Sequence, residues 1–454
     1  MKSGLLKVLH PVAGRPMVEH VVLAARGAGV GRCVVVIGYQ ADRVRERLGD
    51  SVEYVLQEEQ LGTGHAVMQA QTALPEFAGD LLVLYGDNLL LEPGTLRDLL
   101  ERHRETRAAA TVLTAVMPDP SGLGRVVRDR EGRYVRTVEE KDASPEELQI
   151  REVMSGVFCF QAPLIFQVLS RLRPDNAQRE YYLTDGLGLL VAEGRRVEVA
   201  AARDYRSVIG PNTRQGLAQA EAVWRERVLD GLMSSGVTVV DPSTTYVHAT
   251  VAVGRDTVLQ PMTFLEGTTV IGTGCRIGPM SRIRDSRIED GACVETSVVE
   301  HSVVGAGARV GPFSHLRPNS VIGPGAEIGN YAETKNATLG TGAKAHHHCY
   351  LGDVTVGEHV NVGAGVVVVN YDGVQKHHST IENQAFVGCN ANLVSPVTIG
   401  QDAYVAAGST INRDVPAGAL AIAREQQVNK EGYVYALKRR LSARQAGKHR
   451  NGAK

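Results

Sequence analysis

An aliphatic residue recurs at every sixth position throughout residues 247–411. A helix repeats its side-chain direction every ~3.6 residues and a strand every two, so neither element accounts for this period. Glycine often follows the aliphatic residue, as at Gly272 and Gly400, and it accepts turn dihedrals that β-branched residues do not. The pattern therefore predicts a left-handed parallel β-helix, in which short strands and tight turns stack around one apolar column. The repeat lies on four grids offset by insertions: Val247, Val253, Leu259, Leu265, Ile271, Ile277 and Ile283; Val298, Val304, Val310, Leu316, Ile322 and Ile328; Tyr350, Val356, Val362 and Val368; and Val387, Leu393, Ile399, Val405 and Ile411.

Residues 1–212 have a different pattern, in which apolar β-branched runs alternate with helical periodicity. Residues 33–37 and 80–85 are predicted to be buried strands, and residues 17–29 and 94–104 helices. This alternation indicates a doubly wound, Rossmann-like α/β domain, which binds ligands at the carboxyl ends of its strands. Asp87 follows such a strand, where it is either a ligand of a divalent metal or a turn residue.

Residues 213–236 connect these two regions and carry an apolar stripe with helical spacing. We predict a single linker helix here, with Trp224 as a packing residue, followed by the β-helix domain at 237–454. Residues 438–454 are rich in Lys and Arg and contain no acid. We interpret them as a disordered, solvated tail, with a contact to nucleic acid or membrane as the alternative.

Composition narrows the possible partners and the compartment. A net charge of −1 with 22% charged residues provides no general attraction to nucleic acid. No apolar run reaches membrane-spanning length, and no signal-peptide pattern is visible at the start of the sequence. The six cysteines show no CxxC spacing and are interpreted as free thiols. These features predict a cytoplasmic protein without a nucleic-acid or membrane partner.

Several ordered motifs of the N-terminal region resemble those of the sugar-nucleotide pyrophosphorylases. Joined to a hexapeptide β-helix, they make the chain, up to about residue 435, resemble the GlmU family of N-acetylglucosamine-1-phosphate uridyltransferases and glucosamine-1-phosphate acetyltransferases. The N-terminal motifs are Leu6-Lys7-Val8-Leu9-His10, the QEEQLGTGHA run at 57–66, Tyr85-Gly86-Asp87, Gly122-Leu123-Gly124-Arg125, Val138-Glu139-Glu140-Lys141-Asp142 and the NAQREYYLTD run at 176–185. The QLGTGHA run and the later Asn370-Tyr371-Asp372-Gly373 resemble the GlmU family specifically.

For the N-terminal domain, the resemblance implies uridylyl transfer from UTP to N-acetylglucosamine-1-phosphate. This reaction brings several negative charges together and needs cations and backbone donors. By the same resemblance, Asp87 and Asn212 hold Mg²⁺ and Lys7 contacts phosphate. The remaining contacts to the UDP-sugar are expected from Gln57, Gly62, Thr63, Tyr85, Gly86, Gly124, Glu139 and Met154.

Three departures from the family pattern occur in this domain. The glycine-rich LAAGxGTRM run of the family should precede Lys7, but Met1 stands at the position of its last residue. We therefore expect an open apolar edge at residues 33–37 and a start codon that has been placed too late. Met154 replaces the family's Asn and cannot supply an amide's donor and acceptor. Asn88 follows Asp87 where the family prefers Val-Pro.

For the C-terminal domain, the resemblance implies acetyl transfer from acetyl-CoA to the amine of glucosamine-1-phosphate. The attacking amine must be neutral, which requires a general base, and His347 matches the family's base. The competing interpretation is a metal site formed by His346, His347, His348 and Cys349. Contacts to the sugar phosphate are expected from Arg317, Lys335, Tyr350 and Asn361, and contacts to acetyl-CoA from Ala364, Asn370, Tyr371, Cys389, Ala407 and Arg424.

The C-terminal domain also departs from the family, with Cys389 in place of Ser and Glu425 after Arg424. We expect these changes to weaken coenzyme binding. The resemblance further implies a homotrimer that produces UDP-N-acetylglucosamine for peptidoglycan and lipopolysaccharide precursors from small-molecule substrates. Two alternatives remain open, an acetyltransferase with an inactive N-terminal domain and a non-catalytic regulatory scaffold.

Overall fold

The computed structural model describes residues 1–174 and 179–451, with side chains described up to residue 445. Asn176 and Gln178 of the predicted sugar-nucleotide motif lie outside the described residues. The chain divides into two compact units, Met1–Val270 and Ile271–Lys454. The prediction of a domain boundary at residues 213–236 stays a prediction.

The helices of the first unit lie close to their predicted positions. The helix predicted at 17–29 ends at Gly27, and the helix predicted at 94–104 begins at Pro93 and ends at Thr106. Proline suits this first helical position, because its missing N–H would have no partner within the helix. The helices are α1 Met17–Gly27, α2 Ala41–Leu48, α3 Thr63–Ala70, α4 Pro93–Thr106, α5 Ala162–Leu169, α6 Leu183–Ala192 and α7 Arg214–Ser234.

The strands of the α/β region form separate sheets. The largest sheet of this region, as far as the structure describes it, has the order β10-β6-β9-β7-β8, with β5 also paired with β9. The parallel pair β3–β4 and the antiparallel pair β1–β2 are separate. The strands are β1 Pro11–Val12, β2 Arg15–Pro16, β3 Val34–Ile37, β4 Glu53–Leu56, β5 Asp80–Val83, β6 Ala110–Val116, β7 Arg125–Arg128, β8 Tyr134–Val138, β9 Glu152–Gln161 and β10 Val197–Ala201.

Strand β9 places the core of this region on both faces of the sheet. Phe158 and Phe160 pack with α5 and α6 on one face, whereas Val157 and Cys159 pack with α4 on the other. Successive side chains of a strand point to opposite faces, so each face receives its own apolar layer. The predicted doubly wound α/β arrangement is confirmed.

Strands β3 and β5 are less buried than predicted. In the part of the chain that the structure describes, β3 pairs only with β4 and β5 only with β9. Val34 and Leu81 are accordingly half-buried, because each strand has one edge without a neighbour. The open edge expected at residues 33–37 is therefore present, and the prediction that both strands are buried was wrong.

The linker helix predicted at 213–236 is α7. Thr213 caps its first turn by accepting a hydrogen bond from the backbone N–H of Gly216. Its Trp224 donates a hydrogen bond from Nε1 to the Leu89 carbonyl at 3.2 Å and packs on His20, with ring centroids 4.2 Å apart. Trp224 is therefore a packing residue, as predicted.

The hexapeptide repeat forms the coils of a parallel β-helix. Each short strand pairs in parallel with a strand one coil further along the chain, as Val310 does with Ile328. The strands are β11 Thr238–Val239, β12 Tyr246–Val247, β13 Ala252–Val253, β14 Val258–Leu259, β15 Phe264–Glu266, β16 Val270–Ile271, β17 Arg276–Ile277, β18 Arg282–Arg284, β19 Arg287–Ile288, β20 Cys293–Val294, β21 Val298–Glu300, β22 Val303–Val304, β23 Arg309–Val310, β24 His315–Leu316, β25 Val321–Ile322, β26 Glu327–Asn330, β27 Glu333–Leu339, β28 Lys344–His347, β29 Tyr350–Val356, β30 Asn361–Val362, β31 Val367–Val369, β32 Ser379–Ile381, β33 Phe386–Val387, β34 Asn392–Val394, β35 Thr398–Ile399, β36 Tyr404–Val405, β37 Thr410–Ile411 and β38 Leu420–Ala421.

At most of the predicted grid positions, the aliphatic side chain is buried inside the coil. Three of those positions, Val253, Val298 and Tyr350, are only half-buried. Val299 is fully buried in place of Val298, and Leu351 is fully buried in place of Tyr350. The reason is the period-two alternation of a strand, in which a shift of one residue exchanges the inward and outward faces.

The basic end of the chain is helical, so the prediction of a disordered tail was wrong. Helix α8 runs from Tyr433 to Asn451 and is solvent-exposed in its described residues. Ala, Leu, Lys, Arg and Gln dominate it, and these residues have high helix propensity. Residues 452–454 lie outside the described part of the chain. None of the described helices is both long and apolar enough to cross a membrane.

The apolar column predicts a large loss of stability on truncating one residue of β25 and a small one on truncating its neighbour. Ile322 is 1% exposed and Val321 is 41% exposed. We expect Ile322→Ala to destabilise the β-helix by about 2–5 kcal/mol, because it leaves a cavity in the column. The matched control Val321→Ala should change stability by less than about 0.5 kcal/mol. Thermal and urea unfolding of both variants measures this, and equal effects would contradict the assigned register.

Candidate active sites

The first candidate site centres on a lysine that contacts two predicted metal ligands. Lys7 donates from Nζ to Asp87 Oδ2 at 2.5 Å and also to Asn212 Oδ1. The loop at Gly210 lies directly against Asp87, since a Cβ on this glycine would lie 2.9 Å from Asp87 Oδ2. The fold thus brings together three residues that are far apart in the sequence.

Two side-chain oxygens, from Asp87 and Asn212, both contact the ammonium group of Lys7. Carboxylate and amide oxygens are hard ligands that suit Mg²⁺, and this ion commonly keeps waters and takes substrate phosphate as its other ligands. Among the side chains that the structure describes, in residues 1–174 and 179–445, no group of three or more His, Cys, Asp and Glu is arranged to hold a metal. The donor set therefore fits Mg²⁺ shared with a phosphate.

The QLGTG segment, residues 60–64, packs closely against residues 181–183. Gly62 has a φ of 109°, and a Cβ there would lie 2.7 Å from the Tyr181 carbonyl oxygen, so the close approach requires glycine. The Gln57 amide contacts the Gly62 carbonyl at 3.3 Å and the His65 ring at 3.0 Å. Thr63 accepts a hydrogen bond from the backbone N–H of Leu183. These contacts hold Gln57, Gly62 and Thr63 in one rigid segment.

Tyr85 lies between this segment and Gly156, near the middle of β9. Burial raises the pKa of its phenol to about 12, a shift opposed by a hydrogen bond with Thr63. Its ring occupies the space beside Gly156, where a Cβ would lie 2.6 Å from the ring. The neighbouring Gly86 leaves room for Val8, which a Cβ would approach to 3.1 Å.

A third group of predicted residues forms the other side of this site. A Cβ on Gly124 would lie 3.3 Å from Glu139 Oε1, and Met154 donates its backbone N–H to the Gly124 carbonyl at 3.1 Å. Burial raises the pKa of the Glu139 carboxyl, and the charges of Asp142 and Asp185 raise it further. Gly124, Glu139 and Met154 thus lie together as the resemblance implies, with a thioether at the Met154 position.

The second candidate site contains a cluster of cations on the β-helix. Arg317 donates to Glu333 Oε1 at 2.8 Å, and this bond raises the pKa of its guanidinium. The neighbouring Lys376 ammonium, and then Arg317, lower the pKa of Lys335. Tyr350 pairs with Glu333 in the strand register. Sequence reasoning predicted Arg317, Lys335 and Tyr350 but missed Lys376.

The three adjacent histidines differ in their contacts. His346 lies 3.0 Å from Glu327 Oε2. His347 is exposed at the end of β28, and its backbone carbonyl accepts a hydrogen bond from Gly365. Burial raises the pKa of the Cys349 thiol to about 12. With His346 engaged by a carboxylate and Cys349 buried, this arrangement favours a base at His347 over a metal site.

Four of the six predicted acetyl-CoA residues, Ala364, Cys389, Ala407 and Arg424, follow one corner of successive coils. Asn390 donates its backbone N–H to the Ala364 carbonyl at 2.7 Å, and Gly408 donates to the Cys389 carbonyl at 2.8 Å. Ala407 precedes Gly408, and a Cβ on Gly408 would lie 3.9 Å from Arg424 Cδ. His347 lies at one end of this line because its carbonyl bonds to Gly365. The corner therefore joins the candidate base to the candidate coenzyme contacts.

Asn361 is not on the sheet that carries the cation cluster. Lys335 and Tyr350 belong to strands of one sheet, whereas Asn361 pairs with Lys344 and Phe386 in another sheet. Asn370 is buried and donates to Asp353 Oδ2 at 2.5 Å, so it has a structural contact. Tyr371 is exposed and donates from its hydroxyl to the Gly373 carbonyl at 2.7 Å.

Sequence reasoning also missed two supporting residues. Asn88 was regarded as an unusual residue, but it is buried, accepts the backbone N–H of Tyr85 at 2.9 Å and donates to the Ser155 carbonyl at 3.2 Å. It therefore holds the turn that carries Tyr85 and Asp87. Asp353 is the only acid in the apolar strand Tyr350–Val356. A single acid in such a strand could have indicated, from the sequence, a buried carboxylate with hydrogen-bond partners.

Comparisons with known proteins match the two regions of the chain to two different families. Residues 3–225 match the nucleotidyl transferase family, and residues 301–336 and 378–413 match bacterial transferase hexapeptide repeats. The bifunctional protein GlmU of Brevibacillus brevis is 49% identical over 440 residues, covering 97% of this chain and 95% of the relative. That of Geobacillus thermodenitrificans is also 49% identical, covering 96% of this chain and 95% of the relative. That of Symbiobacterium thermophilum is 48% identical, with coverages of 96% and 94%.

Proposed function

Because the chain belongs to the GlmU family of bifunctional transferases, we propose that its two candidate sites catalyse consecutive steps in the synthesis of UDP-N-acetylglucosamine. The acetyltransferase site acts on glucosamine-1-phosphate and acetyl-CoA. The uridyltransferase site then transfers the uridylyl group of UTP to N-acetylglucosamine-1-phosphate and releases pyrophosphate. The observation that carries the proposal is that each unit gathers family-matched residues around a cationic centre, at Lys7 in the first unit and at Lys335 in the second.

In the acetyltransferase site, the sugar phosphate binds between Arg317, Lys335 and Lys376. Their positive charges are only partly balanced by Glu333, which pairs with Arg317, and by Asp353, whose charge raises the pKa of Lys335. A phosphate compensates the rest. His347 accepts the proton of the amine as the amine attacks the thioester carbonyl, and the coenzyme leaves as its thiolate. The corner from Ala364 to Arg424 binds the coenzyme.

In the uridyltransferase site, Asp87 and Asn212 would hold Mg²⁺, which would supply positive charge to the substrate phosphates. The sugar phosphate attacks the α-phosphorus of UTP, and pyrophosphate leaves. Lys7 contacts Asp87 and Asn212 and is therefore placed to pair with a phosphate bound at the same point. Gln57, Gly62, Thr63 and Tyr85 line the uridine side, and Gly124, Glu139 and Met154 the sugar side.

A homotrimer explains why the acetyltransferase residues lie on two sheets. Asn361 lies beside Phe386 in the strand register, and Phe386 contacts Tyr404 with ring centroids 5.3 Å apart. Both aromatic residues are exposed, Phe386 to 39% and Tyr404 to 55%. A neighbouring copy that covers this face buries the aromatic pair and brings Asn361 to the cation cluster of another chain.

We expect His347→Ala to reduce acetyl transfer by about 100- to 10,000-fold while the melting temperature and uridylyl transfer remain unchanged, because a general base is lost. The reaction is followed by release of coenzyme A thiol. His348→Ala serves as the matched control and should retain most of the activity. If His347→Ala keeps more than about a tenth of the wild-type rate, another residue is the base.

Asp87→Ala should reduce uridylyl transfer at least about 100-fold, because the metal loses its carboxylate ligand, and should leave acetyl transfer unchanged. Mn²⁺ binding measured by electron paramagnetic resonance should weaken in parallel. The exposed Asp98, which pairs with Arg203, provides the control Asp98→Ala. Parallel loss of both activities would contradict separate sites. Acetyl transfer without any uridylyl transfer in the wild-type chain would support the acetyltransferase-only alternative.

Multi-angle light scattering should give a trimer for the wild-type chain at micromolar concentration. Tyr404→Glu should dissociate the trimer and lower acetyl transfer together, because it buries a charge in the proposed interface. Circular dichroism verifies that the variant remains folded. A wild-type monomer with full acetyltransferase activity would refute the proposed assembly.

A further inference from the structure

A short hairpin next to the cation cluster carries Lys376. Tyr371 and Lys376 form an antiparallel bridge, and His377 donates its backbone N–H to the Asn370 carbonyl at 2.8 Å. The backbone N–H of Asp372 donates to the Gln375 carbonyl at 3.2 Å. Lys376 therefore sits on the returning arm of the hairpin, and its position depends on how the hairpin is held.

Both ends of the hairpin are anchored to the β-helix. At one end, Asp353 accepts hydrogen bonds from Asn370 at 2.5 Å and from Asn336 at 2.7 Å. Asn336 follows Lys335 directly in the chain. At the other end, His378 Nε2 lies 2.9 Å from Thr355 Oγ1. The first anchor thus connects the hairpin to the strand that carries Lys335.

Between these anchors, the hairpin is held from within by Asp372. One carboxylate oxygen accepts the backbone N–H groups of Val374 at 2.7 Å and Gln375 at 2.8 Å, and the other accepts a hydrogen bond from His377 Nε2 at 2.7 Å. The His377 hydrogen bond is the largest cause that lowers the pKa of the Asp372 carboxyl, followed by these backbone bonds. Asp372 thus accepts three hydrogen bonds, more than a simple ion pair between two exposed side chains provides. These bonds connect it to the turn at Val374 and Gln375 and to the returning arm at His377.

The hairpin places two ammonium groups side by side. Lys376 is the largest cause that lowers the pKa of Lys335, and Arg317 adds to this effect. Two adjacent ammonium groups repel each other, so the arrangement lasts only if the backbone holds it or an anion lies between them. A phosphate provides such an anion.

We propose that Asp372 and His377 are positioning residues that fasten the hairpin so that Lys376 stands beside Lys335 and supplies a cation for the sugar phosphate. This role rests on the proposed acetyltransferase function of the same site. The pair acts through Lys376 and does not itself touch substrate. Its loss weakens phosphate binding and leaves in place His347 and the coenzyme residues outside the hairpin, Ala364, Cys389, Ala407 and Arg424.

Steady-state acetylation of glucosamine-1-phosphate tests this role with three single variants. His377→Ala removes the side-chain bond, and Asp372→Asn replaces the carboxylate oxygen that accepts from His377 with an uncharged NH2 group. Asp372→Asn retains an oxygen for the backbone N–H groups of Val374 and Gln375. We expect both to raise the KM for glucosamine-1-phosphate about 10-fold and to change kcat by less than about threefold. His377→Gln keeps a donor towards Asp372 and should restore a KM near that of the wild type.

Two further comparisons separate positioning from a general structural role. Lys376→Met should raise the same KM about 10-fold, and adding His377→Ala to it should cause no further loss, because both changes remove one contact. With glucosamine, which lacks the phosphate, His377→Ala and wild type should have equal KM values. His359→Gln, an exposed histidine at another corner, is the matched control and should behave as wild type.

The outcomes distinguish this inference from the proposed function. If the wild-type chain does not acetylate glucosamine-1-phosphate, the proposed function fails. If the wild type acetylates it and His377→Ala leaves its KM unchanged, the positioning role fails. A loss that persists in the Lys376→Met background, or one that appears with glucosamine, also overturns the positioning role, because the pair would then act on the fold as a whole.

Discussion

The apolar column of the β-helix is the constraint on which the acetyltransferase site depends. Each coil contributes a fully buried aliphatic residue, such as Ile322 or Leu351, and no coil has a core of its own. Stacking therefore sets the height and register of every corner. Residues separated by a whole coil, such as Ala364 and Asn390, become hydrogen-bonded neighbours. A continuous line of candidate coenzyme contacts follows from this register without any local sequence motif that joins them.

The cationic centres of the two units are held in different ways. Lys7 is neutralised by Asp87 and approached by the Asn212 amide, so its charge is satisfied within the chain. Lys335 faces Lys376 and Arg317, with Glu333 engaged by Arg317. Coulomb repulsion favours anion binding at the second centre, whereas the first holds oxygen ligands in place around a cation. Each arrangement suits a phosphate chemistry, one with a metal and one without.

Most of the fold was predictable because its signals are periodic. The six-residue period identified the β-helix, and the alternation of strands and helices identified the α/β region. The failures occurred where a period is interrupted or a neighbour is missing. Val298 and Tyr350 fell on the grid but lost the inward position to Val299 and Leu351. The basic helix α8 was missed because high helix propensity without a buried face was interpreted as disorder.

The sequence by itself determined the two architectures, the family, and the identity of candidate residues such as Asp87 and His347, because these depend on periodicity and on ordered motifs. Only the tertiary structure decided which side chains meet. It joined Lys7 to Asn212, placed Lys376 beside Lys335, and gave Asn88 and Asp353 supporting contacts. The physical reason is that contacts between residues far apart in the chain depend on coil stacking and loop closure, and neither leaves a local pattern in the sequence.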